Sequence, residues 1–158
     1  MKTPQLYSIA VVLLLASACS GPLGPFPGGS LEGDPMPYPE NWHVAEATDH
    51  VQLETYNTDG HAHSVNIWCV VHDENMYFTT SLVRGEEIPE NRQWVQNALT
   101  HNEARVRVGD VIYEGTLERV LDAELVAGIK NGFVLKYDIE VDERTGNAWI
   151  FEFAKKQT

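Results

Sequence analysis

The sequence predicts an α+β domain, a small antiparallel β-barrel with two packed helices, preceded by a Pro/Gly-rich tether. Three observations predict it. Short alternating or β-branched runs recur from His50 to Phe153 with turn residues between them, the pattern of antiparallel hairpins. Two other stretches, around Trp94 and around Ile129, repeat apolar residues three and four apart, the period of a helix. Residues 20–41 hold six of the eight prolines and five of the twelve glycines, a composition that suits neither element.

From Trp42 onward the elements follow in order. His50 to Tyr56 alternates and ends at Asn57-Thr58-Asp59-Gly60, a strand and a turn. Ser64 to His72 (SVNIWCVVH) is rich in β-branched and aromatic residues and reads as one strand. It is joined through Asp73-Glu74-Asn75 to the strand Met76 to Ser81. Pro89 opens a helix in which Trp94/Ala98 and Val95/Leu99 fall four apart. Ala104 to Val108 and Val111 to Val120 flank Gly109-Asp110 as a hairpin. Asp122 caps a second helix carrying Leu125, Val126, Ile129 and Phe133 on one face, where Gly128 and Gly132 mark a close backbone approach. Ala148 to Phe153 closes the order β-β-β-α-β-β-α-β, with Trp149, Phe151 and Phe153 on one face. A closed barrel hides the edges of such a sheet.

Composition removes several classes of function. The 158 residues suit one domain. The net charge of −12, from 11 basic and 23 acidic residues, argues against binding a phosphate backbone, so no nucleic acid is expected. Two cysteines exclude a disulfide-built scaffold and a Cys-rich zinc module.

The N-terminus reads as an address. Lys2 precedes the apolar run Leu6 to Leu15, and the small residues Ala16, Ser17 and Ala18 follow, the layout of a secretory signal peptide. The run is too short for a spanning helix, which needs about 20 residues. Cys19 directly after Ala-Ser-Ala resembles the lipobox of bacterial lipoproteins, although Ala16 stands where Leu is usual. That resemblance implies cleavage after residue 18, lipidation of Cys19, a tether over 19–41 and a folded domain over 42–158. It places the protein in the bacterial cell envelope, held at the membrane by its N-terminal lipid.

Several strings of the folded part resemble the FMN-binding split-barrel superfamily, which includes pyridoxamine-5'-phosphate-oxidase-like and deazaflavin-dependent nitroreductase-like proteins. SVNIWCVVHDENMYFTTS is similar to its central pair of strands, and Arg84-Gly85 to the basic residue and glycine that follow them. WVQNAL resembles the helix leading to the next strand, His101-Asn102-Glu103 stands where Asn-Pro is frequent, and VRVGDVIYEG resembles the next hairpin. Lys136-Tyr137 matches a common closing pair of the second helix. The resemblance covers about residues 42–154 and implies a split barrel working as a homodimer. It also implies FMN or a deazaflavin as cofactor, with the phosphate held by Thr79, Thr80, Ser81 and Arg84. Arg92, one helix turn downstream of the Arg84 loop, is the candidate to replace in part an arginine that related sequences carry near His61 and His63. Hydroxyls donate to phosphate oxygens, and a guanidinium binds them bidentately.

Other candidates are weaker. His61, His63 and His72 lack the spacing of a zinc site, so no metal is expected, and histidine ligation makes haem the alternative planar ligand. Cys69 reads as an inert core thiol with nothing basic beside it. Trp68, Tyr77, Phe78, Trp94 and Trp149 read mostly as core. No G-x-S-x-G elbow is present. The expected function is an envelope lipoprotein with a flavin-type oxidoreductase domain acting on a small molecule. The alternatives are an envelope module that binds haem or another planar ligand without catalysis, and a structural lipoprotein that kept the fold and lost the cofactor.

Overall fold

A computed structural model describes residues 21–81, 89–140 and 147–157. Among these residues the elements run β1 (Pro35–Met36), α1 (His43–Glu46), β2 (Val51–Tyr56), β3 (Ala62–Ile67), β4 (Cys69–His72), β5 (Asn75–Thr79), α2 (Gln93–Thr100), β6 (Glu103–Val108), β7 (Val111–Arg119), α3 (Ala123–Tyr137) and β8 (Ile150–Ala154). The class is α+β, as the alternating runs predict.

Strand order is β3-β2-β6-β7-β8-β5-β4, every neighbour antiparallel, with β1 added parallel to β7. The two ends of this sheet, β3 and β4, are consecutive in sequence. The run SVNIWCVVH therefore forms two strands, where alternation and β-propensity suggest one. It breaks at Trp68 because its halves pair with different partners: Ile67 lies opposite Val51, whereas Cys69 lies opposite Phe78. Trp68 stacks on Tyr137 at 4.3 Å, and the Cys69 amide donates to the Tyr137 hydroxyl at 3.0 Å, so the end of α3 holds the break in place.

Two apolar clusters fill the body. Leu53, Met76, Phe78, Val106, Phe151 and Phe153 form the barrel interior, closed by Trp42 and by Trp94, Val95 and Ala98 of α2. Val70, Tyr77, Ile129, Phe133 and Ile150 form a second layer under α3. Strands β5 and β8 thus bury alternate residues on both faces. Leu99 departs from its expected place on the packed face of α2 and is 54% exposed. In α3 the Asp122 carboxylate accepts the Leu125 amide at 2.8 Å, a side-chain N-cap. Gly128 and Gly132 face the His72 ring and the Val70 side chain, not a neighbouring backbone as expected.

Residues 21–41, which composition marks as a spacer, lie along the barrel. Leu31 is fully buried, worth about 1.5–3 kcal/mol on transfer terms. Its amide donates to the buried carboxylate of Glu54, and its carbonyl accepts from Arg105 at 2.9 Å. Arg105 also reaches the Gly33 carbonyl, and Arg107 the Glu32 carbonyl. Barrel side chains thus supply partners for part of this backbone, and the rest pairs locally, with β3 and with β7. Leu23, Phe26 and Met36 of the same segment remain exposed. No helix among the described residues is long and apolar enough to cross a membrane.

Candidate functional site

A cavity of about 160 Å³ opens where β3, the end of β5 and the start of α2 meet. Its walls include Asn66 of β3, Thr79 and Thr80, Arg92 and Trp94. Gly24 to Pro27 of the N-terminal segment close another side. Register brings these groups together. Thr79 is the last residue of β5 and lies opposite Ile150, which sets it at the edge of the second core layer. Arg92 has an extended backbone as the N-cap residue of α2, and its carbonyl accepts the Val95 and Gln96 amides. Trp94 packs edge-on against Phe151 at 5.2 Å and forms a rigid floor.

Polar groups in this cavity are unevenly satisfied. Thr79 is 5% exposed, and its hydroxyl has no hydrogen-bond partner among the described residues. Asn66 donates from Nδ2 to the Gly24 carbonyl at 2.8 Å, while its Oδ1 is buried without a donor. The Thr80 hydroxyl accepts the Trp149 amide at 2.9 Å. A buried hydroxyl without a partner costs about 1–3 kcal/mol, a cost that a polar guest reaching Thr79 would relieve.

Of the five sequence candidates, Thr79, Thr80 and Arg92 therefore line one cavity. Ser81 follows immediately, half-buried, outside its lining. Arg84 and Cys19 lie outside the described residues. Asn66 and the Gly24–Pro27 wall were missed. A lone amide in the apolar run SVNIW was a usable signal for Asn66, whereas nothing in a Pro/Gly-rich stretch forecasts which strand it will cover. A larger depression of about 350 Å³ is lined by Asn102, Glu103, Thr116, Glu118, Lys156 and Gln157. Its Glu103 and Lys156 already pair at 2.6 Å, and it holds no buried side-chain polar atom lacking a partner.

Among the described residues no three His, Cys, Asp or Glu side chains converge as metal ligands. His63 sits half-buried on β3, where desolvation holds its ring below the usual histidine pKa. Cys69 is fully buried, but the expectation of no basic neighbour fails: Lys136 Nζ stands 3.9 Å from its sulfur. Burial raises the thiol pKa more than the ammonium lowers it.

Residues 43–156 match the family described as "Uncharacterized protein conserved in bacteria (DUF2255)". No curated protein matches the chain by sequence. Solved structures do match by fold. The chain is similar to the conserved hypothetical protein Rv2991 from Mycobacterium tuberculosis (TM-score 0.57, 14% identity, 72% of this chain and 77% of that one). It is similar to HutZ, the heme storage protein from Vibrio cholerae (0.56, 11%, 73% and 87%), and to an F420 reductase (0.54, 18%, 76% and 96%). Such neighbours have the FMN-binding split-barrel fold, and at these identities the likeness is one of fold alone.

Proposed function

The chain belongs to the DUF2255 family of uncharacterized bacterial proteins, and we propose that its split barrel binds a planar cofactor of flavin or deazaflavin type. Thr79, Thr80 and Arg92 would take the phosphate end. The observation that carries this reading is the buried Thr79 hydroxyl, which has no partner among the described residues and lines the same cavity as Arg92. Size supports a partial fit: about 160 Å³ is well below the roughly 300–1,000 Å³ of ordinary small-molecule sites, so the cavity takes a phosphate and the start of its sugar-like chain. The ring would lie outside it, and in a homodimer the second copy would cover it. Split-barrel neighbours described as an F420 reductase and a heme storage protein make planar ligands the natural class.

When bound, a flavin or deazaflavin supplies hydride or electron transfer to a small molecule. The chain's own residues do the rest. Thr79 and Asn66 offer one hydrogen-bonding group each, Arg92 supplies positive charge, and Trp94 with Gly24–Pro27 limits access of water. We place this activity in the cell envelope, with Cys19 acylated. The test is a titration of the purified full chain with FMN, F420 and haemin, followed by absorbance and fluorescence. Saturable binding of FMN or F420 is expected. A Soret band with haemin and no flavin uptake would move the assignment to haem, and no uptake of any of the three would remove the ligand reading.

A further inference from the structure

Residues 21–28 form a small rigid hairpin with an unusual surface. Leu23 and Phe26 exchange both backbone hydrogen bonds, at 3.1 and 3.0 Å, across a turn made by Gly24 and Pro25. Gly24 takes φ +56°, the glycine-first arrangement of a two-residue hairpin turn. At the base, Gly28 lies so close to Gly21 that a Cβ on it would stand 2.5 Å from the Gly21 carbonyl carbon. Gly28 then exchanges hydrogen bonds with Ser64 at 2.8 and 2.9 Å, and Asn66 holds the Gly24 carbonyl, which fixes the hairpin to the free edge of β3. Three prolines, Pro22, Pro25 and Pro27, stiffen it further.

This rigid device presents its two large apolar side chains to solvent, Leu23 at 73% and Phe26 at 70% exposure. A flexible tether would leave them free to bury themselves; here the backbone bonds forbid it. The hairpin precedes the family-matched residues, so its surface belongs to this chain and not to the barrel the family shares. In a chain of charge −12, no Asp, Glu, Lys or Arg occurs from Thr3 to Leu31.

We propose that the Leu23–Phe26 hairpin docks into the interface of a lipid bilayer. The proposal rests on the reading of Cys19 as the acylated residue. Leu23 follows Cys19 by four positions, a reach of at most about 14 Å for an extended chain, so an anchored Cys19 keeps the hairpin close to the headgroups. An uncharged, proline-stiffened tip with one leucine and one phenylalanine suits that interface, and it meets no repulsion from anionic lipid despite the acidic body. Because Gly24 to Pro27 also wall the Thr79 cavity, docking turns that cavity toward the membrane surface.

The test uses the full chain purified from a host that lipidates it, in vesicles of phosphatidylethanolamine and phosphatidylglycerol with brominated acyl chains. A polarity-sensitive fluorophore is attached through Phe26→Cys. A control carries it through Glu74→Cys, at the far end of β5 from the cavity. Docking predicts that bromine quenches the residue-26 label roughly twofold or more while the residue-74 label stays unchanged. Near-native circular dichroism and melting of both variants guard against misfolding. Leu23→Cys serves as the second labelling site if Phe26→Cys is unstable. An unquenched residue-26 label on protein that still floats with the vesicles overturns the docking proposal and leaves the anchor standing. Protein that does not float overturns both. Energy transfer between residue-26 labels without quenching would assign the hairpin to a contact between copies, and overturns membrane docking.

Discussion

The Thr80 hydroxyl accepts the Trp149 amide hydrogen at 2.9 Å, and the Trp149 carbonyl accepts the Thr80 amide at 3.0 Å. This reciprocal pair extends the β5–β8 ladder by one residue and commits Thr80 to the barrel. Its neighbour Thr79, equally buried, has a hydroxyl with no such duty. Of two adjacent threonines at the same strand end, one hydroxyl is tied into the sheet and the other has no partner among the described residues.

Thr79→Val and Thr80→Val should therefore separate. Thr79→Val removes a buried hydroxyl with no partner among the described residues, so stability should hold or rise by up to about 1 kcal/mol, while flavin affinity falls about tenfold or more. Thr80→Val strands the Trp149 amide and should cost about 1 kcal/mol, with a smaller effect on affinity. Urea unfolding and fluorescence titration of the two variants check both halves.

Glu54 holds the N-terminal segment. Its carboxylate accepts from the Leu31 amide, from the Tyr56 hydroxyl at 2.5 Å and from Arg105 at 3.5 Å, with the residue fully buried. Glu54→Gln offers one acceptor oxygen to three donors. It should cost about 1–3 kcal/mol and expose residues 21–36 to proteolysis ahead of the barrel. Limited proteolysis with mass readout tests this, and a variant cut no faster there than the parent contradicts it.

Glu152 lies directly opposite Glu118 in the β7–β8 ladder. Burial, and then the Glu118 charge, raise its carboxyl pKa. Because the folded value exceeds the unfolded one, the fold favours the protonated form. Stability is then highest below the ordinary carboxylate pKa and falls as pH rises to the raised value, leaving a constant deficit above it. Glu152→Gln should stabilise the protein at pH 7 by a few tenths of a kcal/mol and leave it unchanged near pH 3. Melting curves across that range show whether the difference opens with this sign.

Lys136 ties three elements together. Its ammonium donates to the Ala45 carbonyl at 3.0 Å and the Cys69 carbonyl at 2.9 Å, joining α3 to α1 and β4. Lys136→Met should cost about 2 kcal/mol and speed the reaction of Cys69 with a thiol reagent. In the parent the thiol should stay unreactive until the chain unfolds, since burial raises its pKa.

Much of the barrel was legible in sequence because its strands and helices carry their period openly. Phe151 and Phe153 alternate into the interior, and Ile129 and Phe133 fall four apart on α3. The break at Trp68 was not, because propensity cannot see that β3 and β4 lie at opposite ends of the sheet. Thr79, Thr80 and Arg92 were found through a resemblance, and only the fold brings them to one cavity. The course of residues 21–41 was hidden for a different reason. Leu31 is held by Glu54 and Arg105, residues 23 and 74 positions away, and such contacts leave no local signal.

We propose that the Thr79–Arg92 cavity takes the phosphate of a flavin-type cofactor. The phosphorus-31 resonance of FMN, followed as the full chain is added, tests it most directly. This resonance should shift or broaden in step with quenching of the isoalloxazine fluorescence, and Thr79→Val should weaken both together. Quenched ring fluorescence with an unperturbed phosphate resonance, or binding indifferent to Thr79→Val, would contradict it.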